Sequence, residues 1–121
     1  MKILVVDDDP AVVMVAAIAL ETVGGFEVLQ AYGGAEALER ALAERPDAIL
    51  MDAVMPDMDG PDVLHALRAR VETGGIPVIF HTARTDPTEI RTLLALGAKG
   101  VIRKPFDPKE LPGEVERILD S

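Results

Sequence analysis

Short apolar runs alternate with mixed segments along this whole chain. Ile3-Leu4-Val5-Val6, Ala48-Ile49-Leu50-Met51 and Ile76-Pro77-Val78-Ile79-Phe80 are almost unbroken in apolar character. Runs of that length suit strands covered on both faces. The pattern predicts strands at about 2–6, 26–31, 47–51, 76–81 and 100–103. Between and after them it predicts helices at about 10–22, 34–44, 60–70, 87–96 and 109–119. Strands that alternate with helices of this length imply βαβ units, a parallel sheet and an α/β fold.

The helix starts share a signature. Asp9-Pro10, Asp86-Pro87 and Asp107-Pro108 each set a capping carboxylate before a proline. The carboxylate accepts orphan backbone N–H groups, and proline fits the first helical position. Glu89 and Glu110 stand where a capping-box acid would stand. Pro112-Gly113 would interrupt a helix already running from Pro108. One turn near 108–110 followed by a main helix from about 112 is therefore expected.

The 121 residues make one domain's worth of chain, read as a single unit over 1–121. Hydrophobic residues form 49% of it, enough for one core. The net charge is −9, from 21 acidic and 12 basic residues, with no Lys/Arg cluster. That balance argues against nucleic acid and anionic membrane surfaces as partners. Cysteine is absent, which removes disulfides and thiol catalysis. No apolar run approaches the ~20 residues of a membrane span, and no signal peptide is expected before the first strand. A soluble, cytoplasmic protein is expected.

The polar residues at the strand ends carry the chemistry. Asp7 and Asp8 follow the first strand, Asp52 the third, Thr82 the fourth and Lys104 the fifth. In an open parallel sheet these ends line one edge, where ligands bind. The adjacent carboxylates of Asp7 and Asp8 repel unless a cation lies between them, and Mg²⁺ wants such oxygen ligands. Met55-Pro56 forces an extended exit from the third strand, which could turn the Val54 carbonyl toward a metal. Asp57 and Asp59 read as a turn acid and a helix cap. Ala83 leaves space beside the Thr82 hydroxyl. Lys104 ends a buried strand and calls for an anion, and the Lys104-Pro105 bond is a candidate cis peptide. Three carboxylates, a hydroxyl and an ammonium would serve Mg²⁺-assisted phosphoryl transfer onto an aspartate.

With these residues in place the chain resembles a response-regulator receiver domain of bacterial two-component signalling. The resemblance rests on Val5-Val6-Asp7-Asp8, Asp52 with Met55-Pro56 and Asp59-Gly60, Thr82-Ala83, and Lys104-Pro105-Phe106. It implies a flavodoxin-like (βα)5 fold, a doubly wound five-stranded parallel sheet in the order 2-1-3-4-5. It implies Asp52 as phosphoacceptor, and Mg²⁺ held by Asp7, Asp8, Asp52 and the Val54 carbonyl. Thr82 and Lys104 would meet the phosphoryl group. The implied donor is a sensor histidine kinase or histidine phosphotransfer protein. Output would pass through protein contacts to a downstream target or an attached effector, from a monomer or a phosphorylation-dependent dimer. Such a switch catalyses its own phosphorylation and dephosphorylation without being an ordinary enzyme.

The chain departs from the family pattern in its fifth strand. Val101 stands where the family usually has an aromatic residue or His, so output is expected through Thr82 and the segment 82–96. Val54 and Arg84 occupy positions that tune phosphoryl lifetime in the family, and imply slow self-dephosphorylation. The first helix has no polar side chain from Ala11 to Leu20. Val12, Val15, Ala16, Ala19 and Leu20 can form its core face, leaving Val13, Met14, Ala17 and Ile18 outward as a kinase-docking patch. His65 is expected on the exposed face of the third helix, and His81 as a structural residue of the fourth strand.

Two other function classes are weaker. A haloacid-dehalogenase-type phosphatase would need a second acid two residues after the nucleophile, and that residue is Val54. A non-phosphorylated interaction module on the same fold would be expected to have lost pocket residues. No Gly-rich phosphate loop follows the first strand.

Overall fold

The computed structural model describes residues 1–121. The elements in chain order are β1 (Lys2–Val6), α1 (Pro10–Thr22), β2 (Glu27–Ala31), α2 (Gly34–Glu44) and β3 (Ala48–Asp52). They continue with α3 (Gly60–Arg68), β4 (Val78–Thr82), α4 (Pro87–Ala95), β5 (Gly100–Arg103) and α5 (Leu111–Leu119). The five strands form one parallel sheet in the order β2-β1-β3-β4-β5. Crossovers to both sides of β1 put helices on both faces. No helix is long and apolar enough to cross a membrane.

Side chains alternate across the sheet and feed two cores. Leu4, Val6, Ile49, Met51, Val78 and Phe80 point toward α2, α3 and α4. Ile3, Val5, Ala48, Leu50, Ile79 and Ile102 point toward α1 and α5. Every residue of β3 and β4 is buried, as the unbroken apolar runs require. The register sets Val6 beside Met51, Asp52 beside His81 and Thr82 beside Arg103. The polar strand ends therefore reach one edge together.

Several boundaries differ from expectation. β4 runs from Val78 to Thr82, because Pro77 has no N–H for the ladder and gives only its carbonyl, to Ile49. α3 stops at Arg68 instead of continuing to 70. The buried Thr73 hydroxyl donates to the Leu67 carbonyl at 2.8 Å, and Arg68 reaches the Ile76 and Gly97 carbonyls. The Thr73 bond satisfies a helix-end carbonyl that a further turn would have used, and the Arg68 bonds tie the end of α3 to the segments before β4 and β5. A turn at 108–110, capped by Asp107 through the Lys109 N–H, precedes α5. Glu110 is the N-cap residue of α5 and makes no side-chain capping bond, so it is not the expected capping-box acid.

The phase of α1 needs a larger correction. Val13 and Ala17 are buried, at 0% and 2% exposure, where an outward position was expected. Val15, expected in the core, is 38% exposed, and Val12 is half-buried. Val13, Ala16, Ala19 and Leu20 form the inner face. The outer face is Ala11, Met14, Val15 and Ile18, at the i, i+3, i+4, i+7 spacing of one helical stripe. Met14 and Ile18 are outward as expected, at 56% and 55%.

Candidate functional site

Each site residue is delivered by a strand end. β1 ends at Val6, and the next residue, Asp7, still donates its N–H to the Ala31 carbonyl and is only 1% exposed. Its Oδ1 accepts the Asp9 N–H at 2.9 Å. Asp9 in turn caps α1 through the Ala11 N–H. Asp8, between them, is exposed and makes no ion pair. Asp52 is the last residue of β3, 8% exposed, and its Oδ1 accepts the Val54 N–H at 3.2 Å.

Gly60 lets this strand end sit against the start of α3. A Cβ there would lie 2.5 Å from the Phe80 ring and 2.7 Å from the Asp52 carbonyl oxygen. The Gly60 N–H also donates to the Ala53 carbonyl at 2.9 Å.

Lys104 joins the two buried carboxylates. Its Nζ is 2.7 Å from Asp7 Oδ2 and 3.0 Å from Asp52 Oδ2. The Lys104 N–H is fixed to the Thr82 carbonyl at 2.9 Å, and the Lys104-Pro105 bond is cis, as the sequence suggested. Burial works against the ammonium, but the hydrogen bonds to Asp7 and Asp52 outweigh it and raise the Lys104 pKa. Burial would likewise raise the Asp7 carboxyl. Hydrogen bonds from His81, Lys104 and the Asp9 N–H overcome that and hold it well below the usual carboxylate range.

Oxygens of Asp7, Asp8 and Asp52 all lie within 4.8 Å of one another. Three carboxylates against one ammonium leave an electronegative cluster of hard oxygen donors, which could hold a metal ion.

Thr82 closes β4 at 3% exposure. Its Oγ1 accepts the Arg84 N–H at 3.1 Å, which leaves the hydroxyl proton free to donate. Thr82, Val54 and the exposed Arg84 line a cavity of about 170 Å³. A wider cleft of about 430 Å³ is lined by Lys104 with Ala11, Val15, Ala83, Pro105 and Phe106. Val101, the residue at the expected ring position, is half-buried and packs against the core beneath α4.

Two acids near β3 do other work. The Asp57 carboxylate accepts the N–H groups of Gly34 and Ala35, at 3.0 and 3.1 Å. It caps α2, whose own N-cap residue, Gly33, has no side chain to do so. These bonds lower the Asp57 pKa. Asp57 is thus more than the turn acid its sequence context suggested. Asp59 occupies the N-cap position of α3 but makes no side-chain capping bond there.

His65 is exposed on α3, as expected. His81 is fully buried, and its Nε2 lies 3.0 Å from Asp7 Oδ2. Sequence reasoning placed His81 in β4 but missed this contact. The signal was its position one residue before Thr82, beside Asp52 in the register.

The chain is similar to known proteins in both sequence and fold. Residues 3–116 match the family described as response regulator receiver domain. The DNA-binding response regulator MtrA of Mycolicibacterium smegmatis is 40% identical over 118 residues, covering 98% of this chain and 50% of that protein. The alkaline phosphatase synthesis transcriptional regulatory protein PhoP of Bacillus subtilis is 37% identical over 118 residues, covering 98% and 48%. This chain thus spans about half the length of these curated relatives. The chemotaxis response regulator CheY4 of Vibrio cholerae superposes with a TM-score of 0.90 at 33% identity, over 97% of both chains. Strand order, the acidic cluster and these likenesses agree: the chain belongs to the response regulator receiver domain family of two-component systems.

Proposed function

We propose that Asp52 accepts a phosphoryl group from a phosphohistidine donor, and that the acyl phosphate it forms switches the partners this domain binds. The observation that carries this is the surroundings of the Asp52 carboxylate. One oxygen is held by Lys104, and the carboxylates of Asp7 and Asp8 lie within 4.8 Å. An Asp52 oxygen attacks phosphorus, the P–N bond breaks, and its electron pair stays on the leaving imidazole, which takes a proton from water. No general base acts on the nucleophile, because a carboxylate has no proton to lose.

Asp7, Asp8, Asp52 and the Val54 carbonyl would hold Mg²⁺, whose preference for oxygen ligands and retained waters suits this donor set. When bound, the ion neutralises charge on the phosphoryl oxygens. Lys104 supplies a second positive charge from the protein itself. Thr82 donates its free hydroxyl proton to the phosphoryl group, and the 82–96 segment follows it. Val54 brings no polar side chain to orient an attacking water, and Arg84 can cover the group, so self-dephosphorylation is slow.

Intact mass after treatment with acetyl phosphate tests this reading. One phosphoryl adduct is expected on the wild type with Mg²⁺, and none without Mg²⁺ or on Asp52→Asn. An adduct that survives Asp52→Asn would overturn it.

The exposed stripe Ala11, Met14, Val15 and Ile18 continues into Pro105 and Phe106 beside the pocket. It is the surface on which the helical bundle of a sensor kinase or phosphotransfer protein would dock, in the cytoplasm. Met14→Glu with Ile18→Glu should slow transfer from the protein donor and spare acetyl phosphate. Equal loss with both donors counts against the surface. Output then passes to a partner protein or an attached effector, with or without dimerisation. The relatives named DNA-binding regulators are about twice this length.

A further inference from the structure

His81 stands out among the buried polar side chains. It is 0% exposed, sits in β4 between Asp52 of β3 and Ile102 of β5, and packs near the Phe106 ring. Its Nε2 meets Asp7 Oδ2 at 3.0 Å, whereas Nδ1 has no protein partner. An imidazole kept for packing alone would be poorly chosen here. An apolar side chain of similar size would fill the space and bury no orphan nitrogen. The one thing the imidazole does that such a side chain could not is donate to Asp7. The tautomer that does so carries its proton on Nε2 and leaves Nδ1 as a bare lone pair.

The two side-chain donors on Asp7 Oδ2 differ in freedom. Lys104 reaches it from a loop on a flexible stem and also holds Asp52. His81 is locked in the middle of the sheet and cannot follow the chemistry. If Lys104 turns toward a phosphoryl group on Asp52, His81 is the side-chain donor that remains on Asp7 Oδ2.

We propose that His81 is a positioning residue that keeps the Asp7 carboxylate aimed into the metal pocket while Lys104 exchanges its partner for the phosphoryl group. This rests on the phosphoacceptor reading above, with Asp7 beside the metal.

The test compares wild type, His81→Gln, His81→Asn and His81→Met. A Gln amide reaches the position of Nε2, whereas an Asn amide reaches only that of Nδ1. Calorimetry measures binding of Mg²⁺ alone and of Mg²⁺ with beryllium fluoride, a phosphoryl mimic. Thermal melts report folding. His81→Gln should stay close to wild type. His81→Asn and His81→Met should lose roughly 10–100-fold in the beryllofluoride complex, the usual scale for removing an outer partner of a metal site. Their loss for Mg²⁺ alone should be smaller, because Lys104 still holds Asp7. Should His81→Met fail to fold, the Gln and Asn pair decides alone.

Two results overturn the proposal: equal beryllofluoride binding by all folded variants, or equal loss in Gln and Asn alongside matching drops in melting temperature. A wild type that binds neither ligand overturns the phosphoacceptor reading itself, and this proposal with it.

Discussion

Asp57 accepts the backbone N–H of Gly34 at 3.0 Å, across 23 positions of sequence. A side chain from the loop after β3 thus caps the neighbouring helix on the same sheet face as α3, and ties the site loop to α2. Asp57→Ala should lower the melting temperature and speed hydrogen exchange at the Gly34 and Ala35 amides, while α1 amides keep their protection. Unchanged exchange at those two positions would show that the cap contributes nothing.

Lys104 is the only ammonium between two buried carboxylates. Removing one partner of a fully buried pair costs roughly 3–5 kcal/mol, but solvent reaches 23% of this side chain. Lys104→Met should therefore lose about 1–2 kcal/mol in urea unfolding. Added Mg²⁺ should raise the stability of this variant more than that of the wild type.

The same pair sets an acid limit. The Asp7 pKa is lowered from 3.8, so its contribution is full above 3.8 and is lost as pH falls through the lower folded value. The Lys104 pKa is raised from 10.5, so its contribution is full below 10.5 and is lost as pH rises through the higher folded value. Stability of the wild type relative to Asp7→Asn should be level between these limits and fall below pH 3.8. A difference that stays constant through the acid range would show that Asp7 titrates alike in both states.

Gly60→Ala should cost about 1–3 kcal/mol, as overpacking does. The added methyl meets the Phe80 ring and, less forgivingly, the Asp52 carbonyl oxygen. Because it presses on the residue that carries the site, phosphorylation by acetyl phosphate should slow as well. A variant as stable and as reactive as the wild type would show that the strand end yields without loss.

The corrected phase of α1 separates neighbours. Val13→Ala should cost about 2–3 kcal/mol, for two buried methyl groups and the cavity they leave. Met14→Ala, on the outer face, should stay within about 0.5 kcal/mol. Urea unfolding of the two variants checks the assignment, and the reverse order would restore Val13 to the surface.

That phase shows where sequence reading runs out. An amphipathic helix announces its wet side by its polar residues, and α1 has none between Ala11 and Leu20. The signal that existed was at its end. Counting back from Thr22 by four, seven, eight and eleven gives Ile18, Val15, Met14 and Ala11, the stripe that is exposed. The strands were legible because full burial writes unbroken apolar runs, and their order followed from the family resemblance. The meeting of Asp7, Asp8, Asp52 and Lys104 was legible because a parallel sheet sends all its strand ends to one edge. Long-range partners were not, since nothing local ties Asp57 to Gly34 or His81 to Asp7.

The bridge made by Lys104 also bears on how the domain comes into being. Many small metal sites are scattered charges until an ion gathers them, so that folding and loading are one event. Here a tethered cation travels with the chain and meets Asp7 and Asp52 as β5 docks. On the phosphoacceptor reading, the domain can be assembled first and charged later, and a metal ion would be a reagent of the switch instead of a rivet of the fold.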